Sequence, residues 1–256
     1  MELGITTFAE TYPDPETGRT ISHGDRLRQV LAEVEMAERV GLDVYGIGEH
    51  HRPDFAASSP AVVLAAAAGR TNRIRLMPAV IILSSSDPVR TYQDFATLDL
   101  VSAGRAELLV GRGSFIESFP LFGYSLPDYE ELFAEKLDLL LQIRDNERVT
   151  WSGKFRPPLS DQPIYPRHEQ LRISVAVGGT PASIIRAAQR GLPVTLAIIG
   201  GSPERFSALA DLHRRTLVSS GYDPAQVPLD LHVHGYIADH PRQAADEFYP
   251  SYAAAM

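Results

Sequence analysis

The chain repeats one pattern seven times with variations: a short apolar run, then a segment with helical periodicity that in several units opens at a capping residue plus proline and ends near glycine. The apolar runs predict strands at Leu3–Phe8, Asp43–Gly48, Ile74–Leu83, Ala106–Gly111, Ile173–Val177, Val194–Ile199 and Leu229–Ile237. Parallel strands need crossover connections, so this alternation predicts an α/β fold with a parallel sheet.

The helices are predicted to begin near Arg26, Ser59-Pro60, Asp87-Pro88, Pro127, Thr180-Pro181, Ser202-Pro203 and Pro241. An open doubly wound sheet would carry a G-x-G-x-x-G sequence after the first strand, and the chain has none there. We therefore expect one domain over residues 1–256 with a TIM (β/α)8-type barrel fold. Because only seven units are found, the barrel is expected to lack its last β/α unit in this chain.

Composition narrows the class of protein. The chain is 44% hydrophobic and 22% charged, which suits one large core. A net charge of −8 without basic clusters argues against nucleic acid as a partner, because such binding needs grouped Lys and Arg. The absence of cysteine excludes disulfides, Cys-ligated zinc and thiol catalysis. No apolar run is long enough to span a bilayer, so we expect no membrane partner and a cytoplasmic location.

Three adjacent proton-exchanging residues, Glu49, His50 and His51, follow directly after the second predicted strand. Catalytic groups of a barrel lie at the carboxyl ends of its strands, so this position favours a functional site. The alternative is that one histidine caps the strand and the other faces solvent. Histidine suits proton transfer because its ordinary pKa lies near the working pH of an enzyme.

Glycines crowd the predicted strand ends, where they let a flat, bulky ligand approach the backbone. At one of them, Gly178, Gly179, Thr180 and Ser183 place two glycines and two hydroxyls at a helix N-terminus, which attracts an anion such as phosphate. A tight turn with a helix cap is the alternative. The similar Gly200-Gly201-Ser202-Pro203 follows one unit later.

Arg112, between Gly111 and Gly113, could contact the same phosphate or pair with a neighbouring loop. The proline-rich excursion from Asn146 to Arg172 is predicted to lack regular structure, and it is either a functional loop or a surface flap. A metal-dependent hydrolase is a further alternative, because His232 and His234 share one face of a strand and could ligate a metal with the two histidines after strand two.

Several of these stretches, in order, resemble the bacterial luciferase-like flavin-dependent monooxygenases. The resemblance is carried by the order and spacing of Glu49-His50-His51, Ala79 to Leu83, Asp87 to Arg90, Ser102 to Arg105, Gly111-Arg112-Gly113-Ser114, Gly178-Gly179-Thr180 and Arg186-Ala187-Ala188. Bacterial luciferase has a cysteine at the position of Gly111 and an acidic residue at that of Gly179. Light emission is therefore not expected here.

The resemblance implies a barrel that binds reduced FMN, or alternatively the deazaflavin F420, at the carboxyl ends of its strands. By that resemblance His50 is the catalytic histidine, and Glu49 either orients it or contacts the flavin. Ala79 and Val80 would back the isoalloxazine ring, where relatives have a cis peptide bond. The remaining cofactor-binding residues that it implies, most of them for the phosphate, are Gly111, Arg112, Gly113, Ser114, Gly178, Gly179, Thr180 and Ser183.

The implied reaction is oxygenation of a small organic substrate by a C4a-peroxyflavin formed from reduced FMN and O2. A separate flavin reductase and a homodimer are the partners that the resemblance implies. An F420-dependent oxidoreductase and a non-catalytic flavin-binding protein are alternatives. Substrate choice is expected to depend on the predicted loops 9–23, 115–126 and 146–172.

Overall fold

A computed structural model of the protein describes residues 1–14, 17–113, 115–169, 171–200 and 203–255. These residues form two compact units. The first unit contains Met1–Tyr12 and Ile21–Ala176, and the second contains Pro13–Thr20 and Val177–Met256. The single domain expected from the sequence stays a prediction, and each unit is described by itself.

The first unit alternates strands and helices along the chain. Its strands are β1 (Gly4–Thr7), β2 (Val44–Ile47), β3 (Arg75–Pro78), β4 (Ile81–Ile82), β5 (Glu107–Gly111), β6 (Arg148–Trp151), β7 (Leu159–Pro163) and β8 (Arg172–Val177), the last of which ends at the boundary of the unit. Its helices are α1 (His23–Val40), α2 (Pro60–Ala68), α3 (Pro88–Val101), the short α4 (Ser118–Leu121) and α5 (Tyr129–Asp145), preceded by a 3-10 turn at Leu126–Asp128.

Parallel pairing dominates the first unit, as the alternation of strands and helices predicts. β1, β2 and β3 form one parallel sheet, in which Tyr45 lies between Ile5 and Leu76. β5 pairs in parallel with both β4 and β8. β2, β4, β5 and β8 are mostly buried, and Tyr45, Leu76 and Leu108 are at most 1% exposed. Burial of this kind explains why their sequences are nearly continuous apolar runs rather than alternating ones.

Two predictions about elements are wrong. The strand predicted at Ile74–Leu83 is divided into β3 and β4, with Ala79–Val80 between them. The excursion from Asn146 to Arg172 was predicted to lack regular structure, but it contains an antiparallel hairpin of β6 and β7. Polar cross-strand contacts stabilise this hairpin, since Arg148 donates to Asp161 at 2.8 Å. A search for apolar strands could not find it.

Side chains cap the starts of α1 and α3, but not the start of α2. The Asp87 carboxylate accepts from the first amides of α3, and Ser22 accepts from Asp25 at the start of α1, which begins three residues before the predicted Arg26. Ser59 was expected to bond an amide of α2, but its side chain makes no cap hydrogen bond. The Pro60 that follows has no amide hydrogen to satisfy, so α2 still begins there.

The second unit is smaller. Its elements are α6 (Pro181–Ala188), β9 (Val194–Ile198), a 3-10 turn at Pro203–Phe206, α7 (Ser207–Ser219), β10 (Leu229–Val233) and α8 (Pro241–Ala255). β9 and β10 are parallel, and α6 packs against α7 through a core that includes Ile184 and Leu217. Among the described residues of both units, no helix is both long enough and apolar enough to cross a membrane.

Arg105 connects the loops at the amino-terminal end of β5. Its guanidinium donates to the carbonyl oxygens of Ala68, Thr71, Ile74 and Ser102 at 2.8–3.1 Å and also to the Thr71 hydroxyl. Only the planar, five-donor fork of arginine can reach carbonyl groups on so many sides. Arg105 therefore joins the end of α2, the start of β3 and the end of α3.

We expect Arg105→Lys to lower the free energy of unfolding by about 2–4 kcal/mol, because a single ammonium leaves several partly buried carbonyl groups unpaired. Urea denaturation followed by circular dichroism measures the change. The matched control is Arg70→Lys, whose exposed guanidinium lies 3.4 Å from Glu35 and whose replacement is expected to cost less than about 1 kcal/mol. Equal losses in the two variants would contradict the bridging role of Arg105.

Candidate active site

The imidazole of His50 lies in a cage of three aromatic rings. The Phe55 ring stacks on it at a centroid distance of 4.3 Å, while Phe8 and Phe115 meet it edge-on at 5.0 and 4.9 Å. The His50 amide donates to the carbonyl of Ala57 at 3.1 Å and fixes the backbone beyond β2. Only 7% of the residue is exposed, so its ring nitrogens are largely shielded from bulk water.

This burial lowers the pKa of His50 to about 4. Nearby His51 and Arg52 lower the pKa further, while the carboxylates of Glu117 and Asp54 act in the opposite direction. The expectation of a pKa near the working pH is therefore wrong, because the sequence does not reveal the apolar cage. At neutral pH the ring is an uncharged imidazole, which can donate from one nitrogen and accept at the other.

Glu49 orients the second histidine rather than the first. Its Oε1 lies 2.8 Å from Nε2 of His51, and its Oε2 accepts from the Ile82 amide at 2.9 Å. The His51 ring also meets Phe122 edge-on at 5.1 Å. The buried Glu49 therefore ties the end of β2 to the neighbouring β4. Its expected contact with a flavin stays a prediction.

Glycines on both sides make room for Ala79 and Val80. A Cβ atom at Gly48 of the β2 end would lie 2.1 Å from the Phe8 ring and 3.2 Å from the Ala79 carbonyl oxygen. A Cβ atom at Gly111 of β5 would lie 2.9 Å from a methyl group of Val80. The Ala79–Val80 peptide bond is cis, as the family resemblance implies. Close approach therefore explains these glycines.

Arg112 is held by the start of α5. It forms an ion pair with Glu130, donates to the Tyr129 hydroxyl at 3.1 Å, and its guanidinium lies 5.1 Å from the centre of the Tyr129 ring. Arg112 therefore pairs with a neighbouring segment, which is one of the two roles that the sequence left open. Its contact with a phosphate stays a prediction. Gly113 has a φ of +85°, and a Cβ atom there would lie 2.9 Å from Ile82. Both features require glycine.

An open, mainly apolar cleft of about 470 Å3 lies beside Arg112. Its lining residues are Arg112, Gly113, Phe115, Ile116, Phe119, Leu126, Pro127 and Tyr129. Phe115 belongs both to this cleft and to the cage around His50. Its ring therefore connects the cleft to the buried imidazole.

In the second unit, the start of α6 has features that fit a phosphate. A Cβ atom at Gly178 or Gly179 would meet nothing within 4 Å, and Gly179 has a φ of +117°. Thr180 precedes the helix, and its side chain makes no cap hydrogen bond. The Ser183 side chain is buried, and its hydroxyl has no hydrogen-bond partner among the described residues. Its amide already donates to the Thr180 carbonyl, so the hydroxyl is the group left for a ligand.

The structure joins some of the predicted site residues directly. Glu49 accepts from the amide of Ile82 in β4, two residues after Val80, and Val80 packs on Gly111. Arg112 and Gly113 follow directly after Gly111, at the end of β5. The candidate phosphate-binding residues at 178–183 belong to the second unit. Ser114 was also predicted to bind cofactor, and it lies outside the described residues, as do Gly201 and Ser202 of the alternative glycine turn.

The alternative of a metal-dependent hydrolase finds no ligand set in the structure. Within the ranges that the structure describes, no three His, Cys, Asp or Glu side chains are grouped so that they could hold a metal ion. The ring of His234 instead meets Tyr252 at a centroid distance of 5.4 Å. Burial lowers the pKa of His232.

Sequence reasoning missed the residues that surround His50. Phe55 and Phe115 form two walls of the cage, and Arg52 lies over both rings at 5.8 and 5.0 Å. Phe55 and Arg52 follow closely after His50 in the sequence, and this proximity is the signal by which they could have been found. Phe115 comes from the loop after β5, and no local pattern indicates that it reaches the end of β2.

Fold and site together define an α/β protein of the TIM-barrel class, with its chemistry-bearing residues at the carboxyl ends of parallel strands. The chain belongs to the luciferase-like monooxygenase family, whose sequence model matches residues 1–256. The predicted fold class and the predicted family are therefore both confirmed.

Individual relatives differ in their chemistry. The chain is 27% identical to the alkanal monooxygenase alpha chain of the Kryptophanaron alfredi symbiont, over 99% of this chain and 70% of that one. It is 30% identical to the F420-dependent glucose-6-phosphate dehydrogenase of Kineococcus radiotolerans, over 82% of this chain and 64% of that one. The crystal structure of monooxygenase RslO1 from Streptomyces bottropensis matches with a TM-score of 0.87 and 26% identity, over 100% and 78% of the two chains. Matches to several curated relatives span 40 to 70% of their lengths.

The burial of His50 predicts a pH-dependent stability. Its pKa is about 4 in the folded protein and about 6.5 when exposed, so the unfolded chain binds the proton more readily between these values. The contribution of the neutral His50 to the free energy of unfolding is thus fully present above pH 6.5. It is lost as the pH falls toward 4. We expect His50→Leu to reduce the slope of unfolding free energy in this window by up to about 1.4 kcal/mol per pH unit.

Urea denaturation at a series of pH values from 7.5 to 4.5 measures this slope. The control is His240→Leu, which replaces an exposed histidine. A slope that is the same in the His50 variant as in the parent would contradict the buried, neutral imidazole.

Proposed function

We propose that this protein is a flavin-dependent monooxygenase that uses reduced FMN and O2 to oxygenate a small organic substrate. The neutral imidazole of His50, shielded by three aromatic rings at the carboxyl end of a parallel strand, is the observation that carries this proposal. Membership of the luciferase-like monooxygenase family supports it.

The residues at the strand ends fit such a cofactor. The Ala79–Val80 peptide, which Gly48 and Gly111 approach closely, would back the isoalloxazine ring. The open backbone at Gly178 and Gly179 and the unpaired Ser183 hydroxyl suit a phosphate at a helix N-terminus. Thr180, Arg112, Gly113 and Ser114 complete the proposed set, together with Glu49. Bound reduced FMN would supply the electrons that activate O2.

In this proposal His50 works as an uncharged hydrogen-bonding group. With a pKa of about 4 it is a weak base, but its N–H can donate to an oxygen atom of the substrate without prior protonation. A neutral imidazole polarises a carbonyl group in other enzymes for the same reason. The rings of Phe8, Phe55 and Phe115 exclude water from this hydrogen bond and so strengthen it.

The cleft beside Phe115 is the proposed place for the substrate. Its volume of about 470 Å3 suits a small molecule, and its apolar walls favour an apolar body. A separate flavin reductase is the proposed source of reduced FMN. A homodimer is also proposed, and the exposed Val40, Val62 and Val101 on α1, α2 and α3 support it.

An F420-dependent oxidoreductase is the second candidate. The similarity to an F420-dependent glucose-6-phosphate dehydrogenase favours it, because the two sequences are 30% identical over 220 residues. Both cofactors carry phosphate, so the start of α6 suits either one. Separate titration of the purified chain with FMN and with F420 distinguishes the two candidates, and tight binding of F420 alone would overturn the first.

The proposed phosphate site predicts that Ser183→Ala weakens FMN binding about tenfold, the equivalent of one hydrogen bond to a charged group. Riboflavin, which lacks the phosphate, should bind equally well to the variant and the parent. Quenching of flavin fluorescence measures both dissociation constants. Ser219→Ala is the control, because the Ser219 hydroxyl already bonds the Thr216 carbonyl at the end of α7. Equal losses for FMN and riboflavin would contradict the assignment.

The role of His50 predicts that His50→Ala lowers the rate of product formation by at least about a hundredfold, while FMN binding stays unchanged. Reduced FMN, O2 and a panel of alicyclic ketones and aliphatic aldehydes are the probes, and oxygenated product per reduced FMN is measured. His240→Ala is the exposed control. Full turnover in the His50 variant would overturn its role, and a parent protein that binds FMN but forms no product would favour the non-catalytic alternative.

A further inference from the structure

Arg52 makes ionic contacts with two segments near His50. Its Nε and Nη2 donate to the two carboxylate oxygens of Asp54 at 3.0 and 2.8 Å. Its Nε also lies 3.9 Å from the Glu117 carboxylate, which belongs to the loop that follows β5. The fixed geometry of the first pair orients the guanidinium plane.

The central carbon of the same guanidinium lies over two of the rings that enclose His50. The distance from its central carbon to the ring centre is 5.0 Å for Phe115 and 5.8 Å for Phe55. Both distances lie within the range in which a guanidinium is attracted to an aromatic ring. The same group thus binds a carboxylate and lies over two aromatic rings.

We propose that Arg52 is a positioning residue that holds Phe115 against the imidazole of His50 and so shields the imidazole from bulk water. The relevance of this contact to catalysis rests on the proposed function, but the contact itself does not. Without Arg52, the ring of Phe115 would lose its cation and Glu117 its nearest basic partner, and the loop would be free to move the ring away from His50.

Two other contacts hold the same loop further along. Phe122 meets the ring of His51 at 5.1 Å, and the ring of Tyr124 lies 3.7 Å from Nζ of Lys136. Lys136 also donates to the carbonyl of Ser84 at 2.7 Å. These contacts fix the far end of the loop, so the loss of Arg52 would act locally at Phe115. We therefore expect variants of Arg52 to remain folded.

Lysine cannot replace this arginine. Its ammonium keeps the charge, but it has neither a planar face to stack on Phe115 nor a two-pronged edge for Asp54. Arg52→Lys therefore keeps the positive charge but removes the contacts that position Phe115. If Phe115 leaves the imidazole, water gains access to His50, and the pKa of His50 rises from about 4 toward its ordinary value near 6.5.

The experiment follows the His50 ring by NMR as the pH is varied, in protein without flavin or substrate. His50→Leu identifies its signal among the eight histidines. We expect Arg52→Lys to raise the pKa of His50 by about one unit and to weaken the nuclear Overhauser effect between His50 and Phe115. A pKa that stays near 4 with an unchanged Overhauser effect would overturn the proposal.

A double-mutant cycle with Phe115→Ala tests whether Arg52 acts through that ring. Phe115→Ala alone should raise the pKa of His50, and adding Arg52→Lys should then raise it by no more than a few tenths. Equal shifts by Arg52→Lys in both backgrounds would show that Arg52 acts on His50 directly, which contradicts the proposal. Neither measurement depends on which cofactor the protein uses, so the proposed function can fail while this inference stands.

Discussion

The buried carboxylate of Glu49 is the contact on which the arrangement of the site depends. It accepts from the amide of Ile82 on one side and lies 2.8 Å from the His51 ring on the other. A carboxylate with so little exposure must be fully partnered, because an unpaired buried charge is very costly. The two contacts hold the end of β2 beside β4 and set the direction in which the chain leaves the strand. His50 lies between these two anchored residues and so faces its aromatic cage.

The fold was readable from the sequence where burial and pattern coincide. β2, β5 and β8 lie within one or two residues of their predicted limits, because a strand buried on both faces is a continuous apolar run. The same logic failed at Ile74–Leu83, since the apolar run continues through the interruption at Ala79–Val80. It also failed at β7, where Leu159–Pro163 is almost entirely exposed and pairing depends on polar contacts with β6.

The site divides in the same way. Position along the chain predicted that Glu49, His50 and His51 after β2 and the glycines at the strand ends belong to the site. Parallel strands bring their carboxyl ends to one edge of the sheet. The properties of those groups depend on residues that are distant in sequence. The pKa of His50 is low because its ring is buried in a cage to which Phe115, more than sixty positions away, contributes one wall. Glu49 bonds His51 because an amide of β4 fixes its other oxygen. Neither fact has a local signature.

β5 separates two tasks by only five residues. At its beginning, Arg105 binds carbonyl groups of the α2–β3 connection and of the end of α3, and beyond its end Arg112 and Phe115 line the cleft. The anchoring of the strand at one edge is thus chemically independent of the surface that it presents at the other. Evolution or a protein engineer can therefore exchange the outer loop for one of different shape, and so change what the protein recognises, without rebuilding the foundation beneath it.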